Sequence, residues 1–333
     1  MPNTQLPIPN LESRISNLQY SFPRYLAAKK AIDDRALNQH VWDTMSRTVQ
    51  PTAPDAPLRI LEIGCGIGTM FGRLLERSFG PTIYSPRTGG LSDDLGVKAD
   101  AQAQLSELEL VHYFGIDSDY ESIIHARNRF PFMPLRKNGP GIGWRAGFYD
   151  ADLFSLPDKL ARHSFDLLLA NAFLDLVDVS RALPHLFSYL RPGGVFYFTL
   201  NFDGETTFQP EHPLAPLILP LYHRTMDERI TDGHPSGDSR TGRHLFAHLK
   251  NAGAEILAAG SSDWVVFPGP DGYPGDEAYF LHHILHFFEQ SLTGHPELDS
   301  EQLAGWLTTR HEQVERGELV YVAHQLDFVG KVG

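Results

Sequence analysis

Along residues 58–76, LRILEIGCGIGTMFGRLLE, the hydrophobic pattern changes period. Ile60, Leu61 and Ile63 form a short apolar run suited to a strand buried on both faces, whereas Met70, Phe71, Leu74 and Leu75 recur at helical spacing. Comparable apolar runs predict strands at 110–116, 144–149, 165–171 and 195–200, with helices at 118–130 and 184–190 between them. Ahead of the first strand, residues 18–45 read as helix interrupted at Pro23. Leu37, Val41 and Trp42 stand at helical spacing there, and Asp33 and Asp34 lie where a second helix could begin. Pro51, Pro54 and Pro57 mark the link into the first strand.

Past Asn201 the pattern breaks. Residues 202–240 hold Pro210, Pro213, Pro216 and Pro220, which suits a lid or substrate loop better than a core element. A helix at 239–251, a sixth strand within 255–267 and a seventh within 319–329 follow, and the last two are separated by a long insert. That insert carries two helical stretches, 277–292 and 300–315. The first is apolar on most faces, with Phe280, Leu281, Ile284, Leu285, Phe287 and Phe288, so it must be buried against something. The expectation is that it joins the N-terminal helices and 202–240 in a cap over the carboxyl ends of the strands. Residues 1–10 read as a loosely held Pro-rich arm, 80–108 as an insertion ending in a helix at 98–108.

Between the first strand and its helix lies Gly64-Cys65-Gly66-Ile67-Gly68. Three glycines at alternate positions let the backbone turn sharply and let a ligand approach where a Cβ would collide. The dinucleotide fingerprint wants its third glycine at position 69, which is Thr69. The chain instead has GxGxG opened by Glu62, and it resembles motif I of the class I S-adenosylmethionine (SAM) dependent methyltransferases. The run FDLLLANAFLDLVDVSRALPHLFSYLRPGGVFYFTL, with its Arg191-Pro192-Gly193-Gly194 turn, resembles the second half of the same core.

The resemblance implies an α/β, Rossmann-like fold: a seven-stranded, mostly parallel sheet with an antiparallel last strand and helical cap insertions. It implies an N-terminal helical lid over 1–57 and a SAM-binding domain over 58–333, with insertions at about 202–240 and 270–317. Tyr20, Phe22, Arg24 and Tyr25 become candidates to line the entrance. Glu62, Gly64, Cys65, Gly66 and Gly68 would wrap the amino-acid end of SAM. Asp117, ending the second strand and followed by Ser118, would take the ribose hydroxyls. It stands 55 residues after Glu62, where about 20 is usual in dinucleotide folds, so Asp93 and Asp94 stay open. Asp152 with Leu153 and Phe154 would meet the adenine, Asp150 being the alternative. Asn171, Ala172 and Phe173 would face the sulfonium and the acceptor.

Composition narrows the substrate. Of 333 residues, 42% are hydrophobic, ample for a core, and no run reaches the length of a membrane span; a cytoplasmic protein is expected. The single cysteine, Cys65, excludes an internal disulfide and reads as packing inside the turn. Net charge is −13, and residues 205–333 hold 19 acids against 8 bases, which disfavours a nucleic-acid substrate.

Methyl transfer from a sulfonium needs alignment and exclusion of water, and a hydroxyl or ammonium acceptor also needs a base. Among the cap residues His212, His223, His234, His282, His283 and His286 are the candidate bases, and Tyr222, Asp203 and Glu205 candidate acceptor contacts. His212, His223 and Tyr222 are the named catalytic candidates. His282 and His286 lie one turn apart, yet the run is not HExxH and no third ligand is evident, so no metal is expected. The expected activity is transfer of a methyl group from SAM to a small, apolar or aromatic acceptor on O, N or C. A NAD-dependent oxidoreductase and a non-catalytic scaffold or partner subunit remain open, as does a homodimer.

Overall fold

A computed structural model describes residues 18–53, 56–77, 109–131, 143–156 and 160–333. The apolar run before the glycine turn is β1 (Leu58–Ile63), which lies inside the sheet and pairs in parallel with β2 (Glu109–Asp117) and β4 (Phe165–Asn171). A strand buried on both faces has no solvent to satisfy its backbone, so it needs a neighbour on each side. β3 (Gly143–Asp150) lies outside β2 and β5 (Leu190–Gln209) outside β4, again parallel. β10 (Val320–Val332) then inserts antiparallel between β5 and β8 (Ala254–Ser261). The resulting order is β3-β2-β1-β4-β5-β10-β8, the α/β arrangement expected, with an antiparallel final strand.

Among the described residues the sheet has eight strands rather than seven, because the expected sixth strand is divided. After β8 the chain turns through Ser262, whose N–H donates to the Gln325 carbonyl, and resumes as β9 (Trp264–Val266) further along β10. The ladder shifts register at the same level, between Ala323 and Gln325.

Helices α4 (Thr69–Glu76), α5 (Tyr120–Arg129), α6 (Val179–Phe187) and α8 (Thr241–Asn251) follow their strands and cover the two faces, each over its own apolar cluster. α6 begins five residues before the expected start. Asp178 caps it by accepting from the Arg181 N–H, and Pro184 lies within the helix instead of opening it.

Two expectations are corrected. Residues 202–209 are not loop: β5 continues to Gln209 beside the start of β10, burying Phe202 and Phe208. The strand is read through because its partner extends equally far, which local composition does not reveal. The prolines fall beyond it, in and before α7 (Ala215–Asp227), which leads into a small hairpin of β6 (Ile230–Thr231) and β7 (His234–Pro235). Second, Asp33 and Asp34 do not open a helix. They lie within α2 (Lys30–Ala36), between α1 (Phe22–Ala28) and α3 (Gln39–Thr48), and Asn38 caps α3 by accepting from the Val41 N–H.

The apolar helix α9 (Glu277–Leu292) packs against α1, α7 and α10 (Ser300–Glu315). Phe288 stacks on Tyr222 with ring centroids 3.8 Å apart, and Phe280 stacks on Tyr25. The expected arm at 1–10, the insertion and helix at 80–108, and Asp93 and Asp94 lie outside the described residues. Among the described residues no helix is long and apolar enough to cross a membrane.

The N-terminal helices are tied down by buried charge. Arg73 on α4, 1% exposed, places Nη2 3.1 Å from Asp33 Oδ2 and donates from Nε to Asp34, while Trp264 Nε1 donates to Asp33 Oδ1 at 2.9 Å. Removing one partner of such a pair leaves a buried charge uncompensated. Arg73→Ala is therefore expected to lower unfolding stability by about 3 kcal/mol, measured by urea denaturation; a change within about 0.5 kcal/mol, typical of a surface substitution, would refute this role.

Candidate active site

The turn after β1 is held from three sides. Cys65 N–H donates to the Ile116 carbonyl at 3.0 Å, Gly66 N–H donates to Asp117 Oδ2 at 2.7 Å, and Asp119 N–H donates to Asp117 Oδ1 at 2.9 Å. Asp117 thus closes the loop as well as ending β2. Burial pushes its carboxyl up from the ordinary range, against the lowering effect of the two N–H donors. Gly64 and Gly66 both adopt left-handed φ, 68° and 51°. The atoms a Cβ would meet belong to this chain: Phe173 Cδ2 would lie 2.6 Å from a Cβ on Gly64, and Leu26 Cδ1 2.8 Å from a Cβ on Gly66. α1 therefore rests directly on the turn.

Glu62 is 1% exposed and accepts a hydrogen bond from the Tyr113 hydroxyl. Burial drives its carboxyl up to about 8 despite that bond. Burial, with Glu62 and Asp117 nearby, raises the Cys65 thiol well above its usual range, so it is no nucleophile at neutral pH.

A cavity of about 530 Å³ opens over the turn, within the span of ordinary ligand sites. Its floor is 62–65 and its sides are the strand ends 116–119, 151–154 and 171–173. Phe22, Leu26, Lys29 and Asp33 form the roof, and Thr231, Asp232, His234, Pro235 and Ser236 of the hairpin overhang the far end with Leu176 and Val177. Nine of the eleven residues expected at a cofactor line it: Glu62, Gly64, Cys65, Asp117, Ser118, Asp152, Leu153, Asn171 and Ala172. Gly66 and Gly68 stand behind, covered by Leu26 and by Phe148 and Phe130.

Asp152 caps the turn Leu153–Ser155, its Oδ1 accepting from Phe154 N–H at 2.8 Å, and it is Asp152, not Asp150, that lines the cavity. Asn171 Oδ1 accepts from Thr199 Oγ1 at 2.6 Å, and Ala172 holds a left-handed φ of 49°, a conformation costly for a residue with a Cβ.

The named catalytic candidates are elsewhere. His212 and His223 line a second groove between the end of β5 and α7, where burial lowers both imidazoles and His223 Nε2 lies 3.1 Å from Thr206 Oγ1. Tyr222 is packed on Phe288, and burial raises its hydroxyl to about 12. Asp203 is paired with Arg243, and Glu205 faces the second groove. In the cap, His282 Nδ1 lies 2.7 Å from His311 Nδ1, His283 is stacked on Tyr25 with burial lowering it to about 4, and His286 is stacked on Tyr20. His282 and His286 are thus directed to different partners. Among the described residues no group of three or more His, Cys, Asp or Glu is arranged to hold a metal.

Of the expected entrance residues only Phe22 lines the cavity. Arg24 pairs with Asp276 across the Tyr279 ring, while Tyr20 and Tyr25 pack on α9. Leu26, Lys29, Asp33, Asp178, Arg181 and the 231–236 hairpin went unnamed as cavity residues, apart from His234 as a cap base. The roof had a readable signal: Phe22, Leu26, Lys29 and Asp33 fall on one face at helical spacing. The hairpin had only its Asp232-Gly233 turn.

Residues 94–198 match the model of the methyltransferase domain family. This part of the chain is a methyltransferase domain. The match spans β2 to the first part of β5 and leaves out the glycine turn, which the structure places beside it. The chain is also similar in form to a provisionally assigned methyltransferase from Bacillus halodurans (9% identity, 88% of this chain and 99% of that one, TM-score 0.47). A SAM-dependent methyltransferase from Methanosarcina mazei is similar at 13% identity (87% and 96%, TM-score 0.44). So is the phosphoethanolamine N-methyltransferase 2 of Haemonchus contortus, a complex with phosphomonomethylethanolamine and S-adenosylhomocysteine (12% identity, TM-score 0.43); the alignment covers 98% of this chain and 60% of that one. No curated protein sequence matches the chain.

The cavity presents carboxylates that suit a cationic nucleoside: Asp117 ends β2, Asp152 follows β3, and Glu62 lies at its floor. Glu62 is largely protonated below pH 8 when buried alone, and a cation beside it favours its ionised form. Binding SAM then releases a proton, so affinity should strengthen as pH rises from 6 to about 8 in the wild type and stay flatter in Glu62→Gln, as read by calorimetry. Asp117→Ala should both weaken SAM binding and lower the melting temperature, because the Gly66 N–H loses its acceptor; an unchanged affinity would move the ribose contact elsewhere.

Proposed function

We propose that the enzyme transfers the methyl group of SAM to a small acceptor with an apolar or aromatic body, through an O, N or C nucleophile held beneath the hairpin. One observation carries this: the cavity over the glycine turn continues without a break to the hairpin, under a roof made by α1. Leu176, Val177 and Pro235 supply apolar lining at that end beside the polar Thr231, Asp232, His234 and Ser236, and Phe22, Leu26 and Phe173 continue the apolar lining toward the turn. The net charge of −13 disfavours a nucleic-acid acceptor. A cytoplasmic setting belongs to the same proposal, supported by a lone buried cysteine that leaves no disulfide.

In this reading Asp117 and Ser118 take the ribose, Asp152 and Leu153 the adenine, and the 62–66 turn the methionine end. Bound SAM supplies an electrophilic methyl group whose sulfur leaves without help. The protein's work is then to align the nucleophile and exclude water, which the α1 roof and the hairpin do together. The helices α1 to α3 act as the lid, and the 210–240 and 270–317 segments as the cap that braces it. His234 is the one histidine among the described residues that lines the cavity, and it takes the acceptor's proton where the nucleophile is a hydroxyl or an ammonium.

Calorimetry tests the first step: SAM and S-adenosylhomocysteine should both bind, and no binding at millimolar concentration would overturn the assignment. Assay of S-adenosylhomocysteine release against a panel of small phenols and amines tests the second. His234→Ala should lower kcat about 100-fold or more with SAM affinity unchanged, and an unaltered kcat would remove His234 from the chemistry.

A further inference from the structure

Two cations line the cavity among the described residues, and they stand at different walls. Arg181 lies over the Phe154 ring, 4.0 Å from its centroid, beside the Asp152 that follows β3. Lys29 stands about one helical turn beyond the Leu26 that covers Gly66, and it lines the cavity roof. Its side chain is 7% exposed, its ammonium is 3.3 Å from Asp33 Oδ2, and it sits 5.1 Å from the Trp264 ring centroid. The same Asp33 oxygen is 3.1 Å from Arg73 on the helix that opens out of the turn, so one carboxylate divides its charge between two buried cations. Lys29 retains donors for another anion, and it faces the space where one could arrive.

We propose that Lys29 binds the α-carboxylate of the methionine moiety of SAM. This rests on the cofactor reading given above. The carboxylate is the single anionic group of SAM, and the floor and sides of the cavity are otherwise acidic, with Glu62, Asp117, Asp152 and Asp178. A carboxylate is repelled from those walls and drawn to a cation. Arg181 stands by the adenine end, which leaves Lys29 at the end where the glycine turn receives the amino acid. The roof helix then does more than close the site, because it contributes a charge to the ligand it covers. A hydrogen bond between ionised partners out of water is also among the stronger ones a protein makes.

Decarboxylated SAM, which lacks this one group, separates the possibilities in calorimetry on the full chain. The wild type should bind SAM about tenfold or more tightly than decarboxylated SAM. Lys29→Met should lose a similar factor for SAM and S-adenosylhomocysteine and nothing for decarboxylated SAM, with Lys29→Arg retaining part of the difference. Equal losses for all three ligands would make Lys29 a brace for the roof and overturn the proposal. So would a wild type that binds SAM and decarboxylated SAM alike, a result that needs no variant to fold. A wild type that binds neither overturns the cofactor reading itself, and the proposal with it.

Discussion

A carboxylate removed from water has to be surrounded by donors, and Asp33 is where that requirement shapes the molecule. Its two oxygens are shared by Arg73 from the helix after the glycine turn, Lys29 from the same helical segment and the indole of Trp264 from β9. Three elements far apart in sequence are drawn to one point, and the N-terminal helices acquire a fixed position over the strand ends. Hydrophobic packing of Tyr25 and Trp42 would hold those helices to the body, but it is non-directional and would leave their placement less sharply specified.

From that anchor the roof follows. With α1 held in place, Leu26 comes down on Gly66 and leaves no room for a Cβ, while Phe173 from the far side does the same at Gly64. The glycines are therefore required by the chain's own close approach as much as by any ligand. Asp117 completes the clamp by accepting from the Gly66 N–H. A loop so held costs little further ordering when a ligand arrives.

The far end of the cavity is built differently. The 230–235 hairpin is exposed at most positions and joins the body through Arg229, which donates to the Asp175 and Ser236 carbonyls. Beneath it the cap is dense with aromatic and imidazole rings stacked on one another, and this explains why most of the cap histidines are structural. His283 against Tyr25, and His282 against His311, fill space between α1, α9 and α10. Burial penalises the charged forms of His283 and His311, and His311 is lowered to about 3.

Local pattern was enough for the parallel core. Short two-sided apolar runs, the GxGxG turn and the acids at strand ends are all properties of consecutive residues, which is why β1 to β4, the bounds of α9 and α10 and most of the cavity floor were legible in the chain. The extension of β5 to Gln209, the split of β8 from β9, the roof charges Lys29 and Asp33 and the cavity-facing His234 were not. Each depends on a partner in another element remote along the chain, or on the place in space where a hairpin comes to rest. Spacing along one segment records which face a side chain occupies, but only the folded chain decides what that face meets.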